Sequence, residues 1–275
     1  MTANTTELAR AKLNLTLHVT GQRADGFHLL DSLVVFPDVG DTVYVAQAHE
    51  PTLQITGAFA DQLVGDRNLV LDAMSLMGVS GAVQLSKDLP VAAGLGGGSA
   101  DAAATLRALA KIYAVGLPDI TTMAQLGADI PVCVAQQSCR MRGIGEQISA
   151  VDGLPPFWLV IANCRLPVAT AAVFKHLQNR DNPAMPDHLH HRTFDDLIAL
   201  LRQSRNDLEA PAIEICPTIR IVLDALAALP GCALSRMSGS GGTCFGIFAE
   251  QSAARDAAAR LQQLHPAWWV RAAAV

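Results

Sequence analysis

The sequence lacks the features that identify several large classes of protein. No apolar run among its 275 residues is as long as a membrane span, and residues 1–7 have neither the basic nor the apolar block of a signal peptide. The six cysteines include no Cys-x-x-Cys pair. This argues against a zinc site or a disulfide framework and favours reduced, mostly buried thiols. Together these absences predict a cytoplasmic protein.

Charged residues are also scarce, and basic residues are not in excess. Charged residues make up 16% of the chain against 51% hydrophobic residues, and the formal net charge is −5. The hydrophobic content excludes a disordered chain, and the acidic balance argues against nucleic acid as a partner. We therefore expect a globular protein with neither a nucleic-acid nor a membrane partner. Whether it is a monomer or a homodimer is left open by the sequence.

Glycine, in contrast, is concentrated in one loop. Four glycines stand among the five residues 94–98, between a strand predicted at residues 81–86 and a helical pattern from Ala102 to Tyr113. Without Cβ atoms the loop lets a ligand lie against the backbone, and the amides and dipole at the start of the helix favour an anion. The loop is a candidate phosphate site, although a purely structural turn has the same composition.

Two common nucleotide-binding motifs do not fit this loop. No Gly-Lys-Ser/Thr closes it as in a Walker A motif, and Ser99 stands where the dinucleotide motif has its last glycine. The string Pro-x3-Gly-Leu-Gly-Gly-Gly-Ser-Ala instead resembles the phosphate-binding motif of the GHMP kinases, in which the loop wraps the ATP phosphates. This resemblance implies ATP and Mg²⁺, with no metal ligand assigned. Ser99 either contacts the metal or caps the helix, as Asp101 can.

The resemblance implies a set of ATP-binding residues, most of them in the loop. These are Pro90, Ala93, Gly94, Leu95, Gly96, Gly97, Gly98, Ser99, Ala100 and, near the adenine, Asn68.

A second segment resembles one branch of the same family. The branch motif is Ala-Lys-Leu-Asn-Leu at residues 11–15, followed by Gly-Phe-His at residues 26–28. The substrate of that branch is 4-diphosphocytidyl-2-C-methyl-D-erythritol (CDP-methylerythritol), an intermediate of the non-mevalonate isoprenoid pathway. By this resemblance Phe27 stacks on the cytosine and His28 bonds to its polar edge, while Asn14 positions the acceptor hydroxyl.

Each residue expected to contact the substrate either has an alternative structural explanation or differs from the residue usual in the family. The family commonly has tyrosine where this chain has Phe27, so the ring face is kept and the phenolic hydroxyl is lost. His28 alone could be an ordinary turn histidine. Thr170 matches a family threonine of the substrate pocket, but capping of the helix that follows it explains the residue equally well.

Lys12 and Asp129 are the candidate catalytic residues. Asp129 lies in Gly-Ala-Asp-Ile-Pro, which matches the family segment whose aspartate is the proposed base for the acceptor hydroxyl. Lys12 would keep that carboxylate ionised and polarise the hydroxyl, and phosphoryl transfer needs little more than positioning and charge neutralisation. The alternatives are a solvated lysine at the start of a strand and a carboxylate that caps a turn.

Two segments of the second half also carry motifs. Ser238, Gly239, Ser240 and Gly241 join two predicted strands as a hairpin turn does, and they resemble the third family motif, which packs against the phosphate loop and closes the site. The segment Asp187-His188-Leu189-His190-His191 contains side chains that could bind a metal ion. No second group of potential metal ligands accompanies it at a typical spacing, so we predict a solvated loop.

Hydrophobic periodicity predicts a chain of mixed helices and strands, with an antiparallel sheet in its first part. The predicted strands are residues 13–19, expected to be half-buried, then 29–36, 42–46, 52–56, 81–86, 157–162, 232–236, 243–248 and 268–272. The predicted helices are residues 68–77, 117–126, 170–177, 194–201, 218–229 and 251–264, and Pro131 is expected to end a helix.

The resemblance implies the GHMP kinase fold, an α/β (α+β) architecture of two domains. Residues 1–155 would form the ATP-binding domain and residues 156–275 a ferredoxin-like domain, with the active site in the cleft between them. The implied reaction is ATP-dependent phosphorylation of the 2-hydroxyl of CDP-methylerythritol, giving the 2-phosphate and ADP. The alternatives are a kinase for another small alcohol, such as homoserine or a mevalonate derivative, and a nucleotide-binding protein that has lost the chemistry.

Overall fold

The computed structural model describes residues 3–63, 68–187 and 193–275. The strands are β1 (Asn4–Arg10), β2 (Leu13–Asn14), β3 (His18–Gln22), β4 (His28–Val35), β5 (Gly40–Gln47), β6 (Thr52–Thr56), β7 (Gly81–Ser86), β8 (Cys139–Gly143), β9 (Gln147–Ala150), β10 (Trp158–Asn163), β11 (Leu234–Met237), β12 (Thr243–Phe248) and β13 (Trp269–Ala274). The α-helices are α1 (Leu69–Met77), α2 (Gly97–Tyr113), α3 (Ile120–Leu126), α4 (Ile130–Ala135), α5 (Thr170–His176), α6 (Phe194–Gln203), α7 (Glu209–Ile215), α8 (Thr218–Ala227) and α9 (Gln251–Leu264).

The chain divides into two compact units, each built from separate stretches of sequence. The first unit comprises the described residues of Met1–Lys12, Val39–Val91 and Gly96–Gln136. The second comprises the described residues of Leu13–Asp38, Ala92–Leu95 and Gln137–Val275. The glycine loop thus contributes residues to both units. The domain boundary expected near residue 155 stays a prediction.

The first unit holds a four-stranded sheet in the order β1-β5-β7-β6. Its pairs are antiparallel except β6 and β7, which are parallel. The expectation of an antiparallel sheet is therefore wrong at this pair. The reason is that α1 lies between β6 and β7 in the chain, and a connection through a helix returns the chain in the same direction.

Helix α2 covers this sheet. Alternate residues of β5 and β7 are buried, among them Val43, Val45, Val83 and Leu85, because successive side chains of a strand point to opposite faces. Helix α2 contacts β1, β5 and β7, and its Leu106 is fully buried. The core thus fixes the helix, and with it the place where its first turn begins.

The second unit contains two sheets. The first has the order β2-β4-β8-β9, with β3 also paired to β4. The other has the order β11-β12-β10-β13 and is antiparallel throughout. In chain order, β10 is followed by helices α5–α8, then by β11, β12, α9 and β13. With α8 and α9 as the connecting helices, these strands form the β-α-β-β-α-β pattern of a ferredoxin-like arrangement.

The segment at residues 13–19 differs from its prediction. A half-buried strand was expected, but the segment forms only β2 and the start of β3, and every residue in it is buried. Leu15 donates its N–H to the Leu33 carbonyl, and Leu17 makes an isolated parallel bridge with Asn206. Because protein covers both sides of the segment, its alternating polar residues do not face water.

Several boundaries and elements also differ. Pro131 lies in the first turn of α4 rather than ending a helix, a position where its missing N–H is tolerated. Periodicity missed β1, α4, β8, β9 and α7. The predicted strands at residues 52–56, 81–86 and 243–248 and the helix at residues 251–264 are confirmed to the residue.

The cysteines are mostly buried, as the composition predicts. All six cysteines lie within the described residues and are free thiols, and four of them are buried. Across the described residues, every helix falls short of the length and apolar character needed to cross a bilayer.

We predict that Leu106→Ala lowers the free energy of unfolding by about 2–5 kcal/mol, because it leaves a cavity between α2 and the sheet. The matched control is Ile120→Ala, whose side chain is 63% exposed and whose loss is expected to cost less than about 0.5 kcal/mol. Chemical denaturation followed by circular dichroism measures both. An equal loss of unfolding free energy in the two variants would contradict the burial of Leu106 between α2 and the sheet.

Candidate active site

Helix α2 begins at the glycine loop, with Gly96 in the N-cap position at φ +61°. A Cβ at Gly96 would lie 3.1 Å from Lys12 Cβ, so both the backbone conformation and the close approach require glycine. The helix has no side-chain cap, so the expectation that Ser99 or Asp101 caps it is wrong. Because the helix starts earlier than expected, the amides of Gly97–Ser99 lie in its first turn, where N–H groups have no intrahelical acceptor.

Lys12 and Asp129 form an ion pair beside this turn. Lys12 Nζ lies 2.9 Å from Asp129 Oδ1, and Asp129 Oδ2 is 3.8 Å from the position of a Cβ on Gly96. Lys12 is buried, with 8% of its surface exposed, so a solvated strand end is excluded. Asp129 makes no capping hydrogen bond at the start of α4, so a capping role is excluded as well. The structure therefore brings the two candidate catalytic residues together.

A second ion-pair cluster lies on the other side of the turn, and sequence reasoning missed it. Lys87 Nζ donates to Asp41 Oδ2 and, at 2.7 Å, to Asp101 Oδ2. All three residues are almost completely buried. A Cβ on Gly97 would lie 3.0 Å from Lys87 Nζ. The available signal was Asp101 itself, a charged residue within an otherwise apolar helical face. We call Asp41, Lys87 and Asp101 the ionic cluster.

Burial perturbs the ionisation of the cluster. Desolvation raises the pKa of Asp101 to about 8, against an opposing effect from the Lys87 ammonium, and Asp41 adds to the rise. The pKa of Lys87 is also raised; its burial acts to lower it, and the two carboxyl groups outweigh that effect. Burial therefore favours the protonated form of Asp101, and the Lys87 ammonium opposes it.

In the second unit, the Ser238–Gly241 segment packs against the start of the glycine loop. Ser238 Oγ donates to the Gly94 carbonyl at 3.0 Å and accepts from the Asn14 N–H at 3.0 Å. A Cβ on Gly94 would lie 2.5 Å from the Ser238 carbonyl oxygen, so glycine is required there. The packing expected from the third motif is thus present within this unit.

Two residues orient this segment from either side. Asn206 donates from Nδ2 to the carbonyls of Met237 at 2.8 Å and Gly239 at 2.9 Å. Thr170 and Ser240 share a hydrogen bond between their hydroxyl oxygens at 2.7 Å. Helix α5 begins at Thr170 without a side-chain cap, so the capping explanation for Thr170 is wrong.

His28 and Phe27 lie at the start of β4. The Phe27 side chain is 59% exposed. The His28 ring stacks on Phe174, with 4.7 Å between ring centroids and 26° between planes. Its buried Nε2 has no hydrogen-bond partner among the described residues. Burial, followed by the charge of Arg180, lowers the pKa of His28, which favours the neutral ring.

Phe174 contacts a candidate site residue, His28, and sequence reasoning missed it. It follows Thr170 by one helical turn on α5, which is the spacing that places two side chains on one face of a helix. That spacing was the available signal.

The remaining candidates have structural contacts. Asn14 Nδ2 donates to Ser32 Oγ at 2.7 Å. Asn68 Oδ1 accepts from the Val70 N–H at 2.9 Å and caps α1; its expected place near adenine stays a prediction. Four of the predicted ATP-binding residues are buried and hold the loop through packing, namely Pro90, Ala93, Leu95 and Ala100.

The histidine-rich segment lies mostly outside the described residues, which include Asp187 but not residues 188–191. Asp187 Oδ1 accepts from Arg140 Nη1 at 2.9 Å. Within residues 3–63, 68–187 and 193–275, no group of three acidic, histidine or cysteine side chains is placed to hold a metal ion.

The chain is similar in sequence to known proteins of one family. A family model named GHMP kinases N terminal domain matches residues 67–153, and one named GHMP kinases C terminal matches residues 185–267. A protein of Cereibacter sphaeroides named 4-diphosphocytidyl-2-C-methyl-D-erythritol kinase is 55% identical over 98% of this chain and 98% of its own. One of the same name from a Jannaschia species is 50% identical over 97% and 96%.

A solved structure is similar over the same length. The crystal structure of a 4-(cytidine 5'-diphospho)-2C-methyl-D-erythritol kinase superimposes with a TM-score of 0.81 at 31% sequence identity. The match covers 98% of this chain and 98% of that chain.

We predict that Asp101 makes folding stability fall as pH rises from about 4 to about 8. The ordinary pKa of an aspartate is 3.8, and the pKa of Asp101 in the folded chain is about 8, so folding takes up a proton between these values. The contribution of Asp101 to the free energy of unfolding is therefore complete below pH 3.8 and is lost as the pH rises to about 8. Asp101→Asn removes the titration, so the difference in unfolding free energy between the two proteins should change across this range. A constant difference would show that Asp101 is ionised throughout.

Proposed function

The chain belongs to the GHMP kinases, and from its likeness to particular members we infer that it is a 4-diphosphocytidyl-2-C-methyl-D-erythritol kinase. It transfers a phosphoryl group from ATP to the 2-hydroxyl of CDP-methylerythritol, giving the 2-phosphate and ADP in the non-mevalonate isoprenoid pathway. The observation that carries this function is full-length likeness, in sequence and in fold, to proteins of that name. The arrangement of Lys12 and Asp129 beside the first turn of α2 supports the chemistry.

We propose that the ATP phosphates bind at the first turn of α2. The amides of Gly97–Ser99 point toward the N-terminal end of the helix, where the helix dipole favours an anion. The chain carries a net charge of −5, so the general field of the protein does not attract a triphosphate. The triphosphate is instead attracted by fixed local dipoles, which need no reorganisation during the reaction.

Asp129 and Lys12 are proposed to act on the acceptor hydroxyl. Asp129 Oδ2 is free of the ion pair, which uses Oδ1, and the side chain is 32% exposed, so a hydroxyl can reach the carboxylate. Asp129 would either accept the proton of that hydroxyl or orient the hydroxyl. The hydroxyl oxygen attacks the γ-phosphorus, and the bond between the γ-phosphorus and the bridging β-phosphate oxygen breaks, so that ADP leaves. Lys12 holds the carboxylate in place and balances its charge.

The cytidine end of the substrate is proposed to bind at the start of β4. The exposed ring of Phe27 offers a stacking face. The buried His28 Nε2 lacks a hydrogen-bond partner among the described residues, which the edge of the base would supply on binding. Phe174, stacked on His28, fixes the orientation of that ring. Asn14 and Thr170 complete the proposed pocket, in which both side chains are already oriented by serines.

Mg²⁺ is proposed to enter with the nucleotide. The described residues offer no three-ligand cluster of their own, which fits a cation held mainly by phosphate oxygens and water. When bound there, Mg²⁺ neutralises charge on the β- and γ-phosphate oxygens. The cytoplasmic location stays a prediction.

The first prediction for the chemistry concerns Asp129→Asn. The amide cannot accept the hydroxyl proton, so we expect kcat to fall by about 10²–10⁴-fold while the affinity for ATP is kept. A coupled assay of ADP release measures turnover, and calorimetry measures nucleotide binding. The control is Asp119→Asn, which changes an exposed carboxylate that caps α3. Unchanged turnover in Asp129→Asn would remove Asp129 from the mechanism.

The second prediction concerns the acceptor. In the same assay, CDP-methylerythritol should support ADP release, whereas homoserine and mevalonate should not, because neither carries a cytosine for Phe27 and His28 to bind. Turnover of homoserine alone would refute the proposed substrate. Nucleotide binding without turnover of any acceptor would favour a protein that has lost the chemistry.

A further inference from the structure

The ionic cluster joins the two ends of the glycine loop. At the entry to the loop, Asp41 Oδ1 accepts the N–H groups of Asp88 at 2.6 Å and Leu89 at 2.7 Å. At the exit, Asp101 of α2 accepts from Lys87 Nζ at 2.7 Å. Because Lys87 also donates to Asp41, one continuous set of hydrogen bonds links strand β5, the entry and the helix.

Lys87 has little freedom to move within this cluster. Its backbone N–H donates to the Thr56 carbonyl at 2.7 Å, and its carbonyl accepts from the Phe59 N–H at 3.0 Å. The side chain is 2% exposed. Its ammonium group lies 3.0 Å from the position that a Cβ on Gly97 would take. The lysine is therefore a rigid support directly beneath the first helical residue of α2.

Charge balance alone does not explain Asp101. Asp41 already pairs with Lys87, so a second buried carboxyl group is not needed to neutralise the ammonium. Asp101 is 3% exposed, and its Oδ1 has no partner among the described residues, which is a cost to folding. A costly buried group that joins two elements indicates a geometric role.

We propose that Asp101 is a positioning residue for ATP: by holding Lys87 against Gly97, it fixes the amides of Gly97–Ser99 in the arrangement that binds the phosphates. The inference rests on the proposed binding of ATP at this turn. Asp101 lies one helical turn beyond Gly97 on the same face of α2, so it acts on the turn through Lys87 and not through contact with the nucleotide.

The decisive variant is Asp101→Ala, in which Lys87 keeps its pairing with Asp41 and loses its connection to α2. We expect the dissociation constant of a non-hydrolysable ATP analogue, measured by calorimetry, to rise about tenfold or more. The KM for ATP should rise in parallel. The KM for CDP-methylerythritol should change by less than about twofold, since a positioning role at the phosphate turn does not reach the acceptor.

Three further variants serve as rescue, control and geometric test. Asp101→Asn keeps an oxygen that can accept from Lys87, so its nucleotide affinity should lie within about threefold of the original protein. Asp119→Ala removes a capping carboxylate in the same unit, at α3, and should leave nucleotide affinity unchanged. Asp101→Glu keeps the carboxyl group and lengthens the side chain, so it should weaken nucleotide binding if geometry matters.

Three outcomes would overturn the proposal. The first is an unchanged nucleotide affinity in folded Asp101→Ala, or in folded Asp101→Glu if the alanine variant does not fold. The second is an equal rise of the KM for ATP and the KM for CDP-methylerythritol, which a general disturbance of the site would produce. The third is failure of both variants to fold, which would make Asp101 a folding residue only. The calorimetric measurement of nucleotide binding needs no acceptor substrate. It therefore tests the role of Asp101 even if the proposed acceptor is wrong.

Discussion

The first turn of α2 depends on the absence of side chains at two successive residues. A Cβ on Gly96 would meet Lys12 at 3.1 Å, and a Cβ on Gly97 would meet the ammonium group of Lys87 at 3.0 Å. A side chain at either position would require the lysine beside it to shift by a few tenths of an ångström, and at Gly96 the positive φ adds backbone strain. The packing of the protein itself thus favours glycine here, before any ligand is considered. The same packing leaves the amides of the turn uncovered for an anion.

Both lysines are neutralised locally, so net positive charge does not create the anion site. Lys12 pairs with Asp129, and Lys87 pairs with Asp41 and Asp101. Burying an unpaired ammonium group would be strongly unfavourable, which explains why each lysine has a carboxylate partner. What remains for a phosphate is a set of oriented amides held by rigid neighbours. Electrostatic stabilisation of this kind acts through preorganisation and does not need excess charge.

The sequence predicted the elements and motifs whose signals are local. Strand β7, strand β12 and helix α9 follow from periodicity alone, and the glycine loop follows from composition. It did not predict the parallel pairing of β6 with β7 or the ionic cluster, since Asp41 and Lys87 are 46 residues apart. The stacking of His28 on Phe174 was missed for the same reason. The burial of residues 13–19 also depends on long-range contacts, which periodicity does not contain.

Hydrogen-bond satisfaction separates structural residues from candidate functional residues of the same type. Buried His18 is held through both ring nitrogens, at 3.0 Å from the Pro183 carbonyl and 3.1 Å from the Arg205 N–H. His28 keeps one nitrogen without a described partner. The ion pairs differ in the same way. The acids that hold Lys87 are at most 5% exposed, whereas the Asp129 side chain is 32% exposed. A group that supports a turn must exclude water and ligand alike, and a group that meets a substrate must remain reachable.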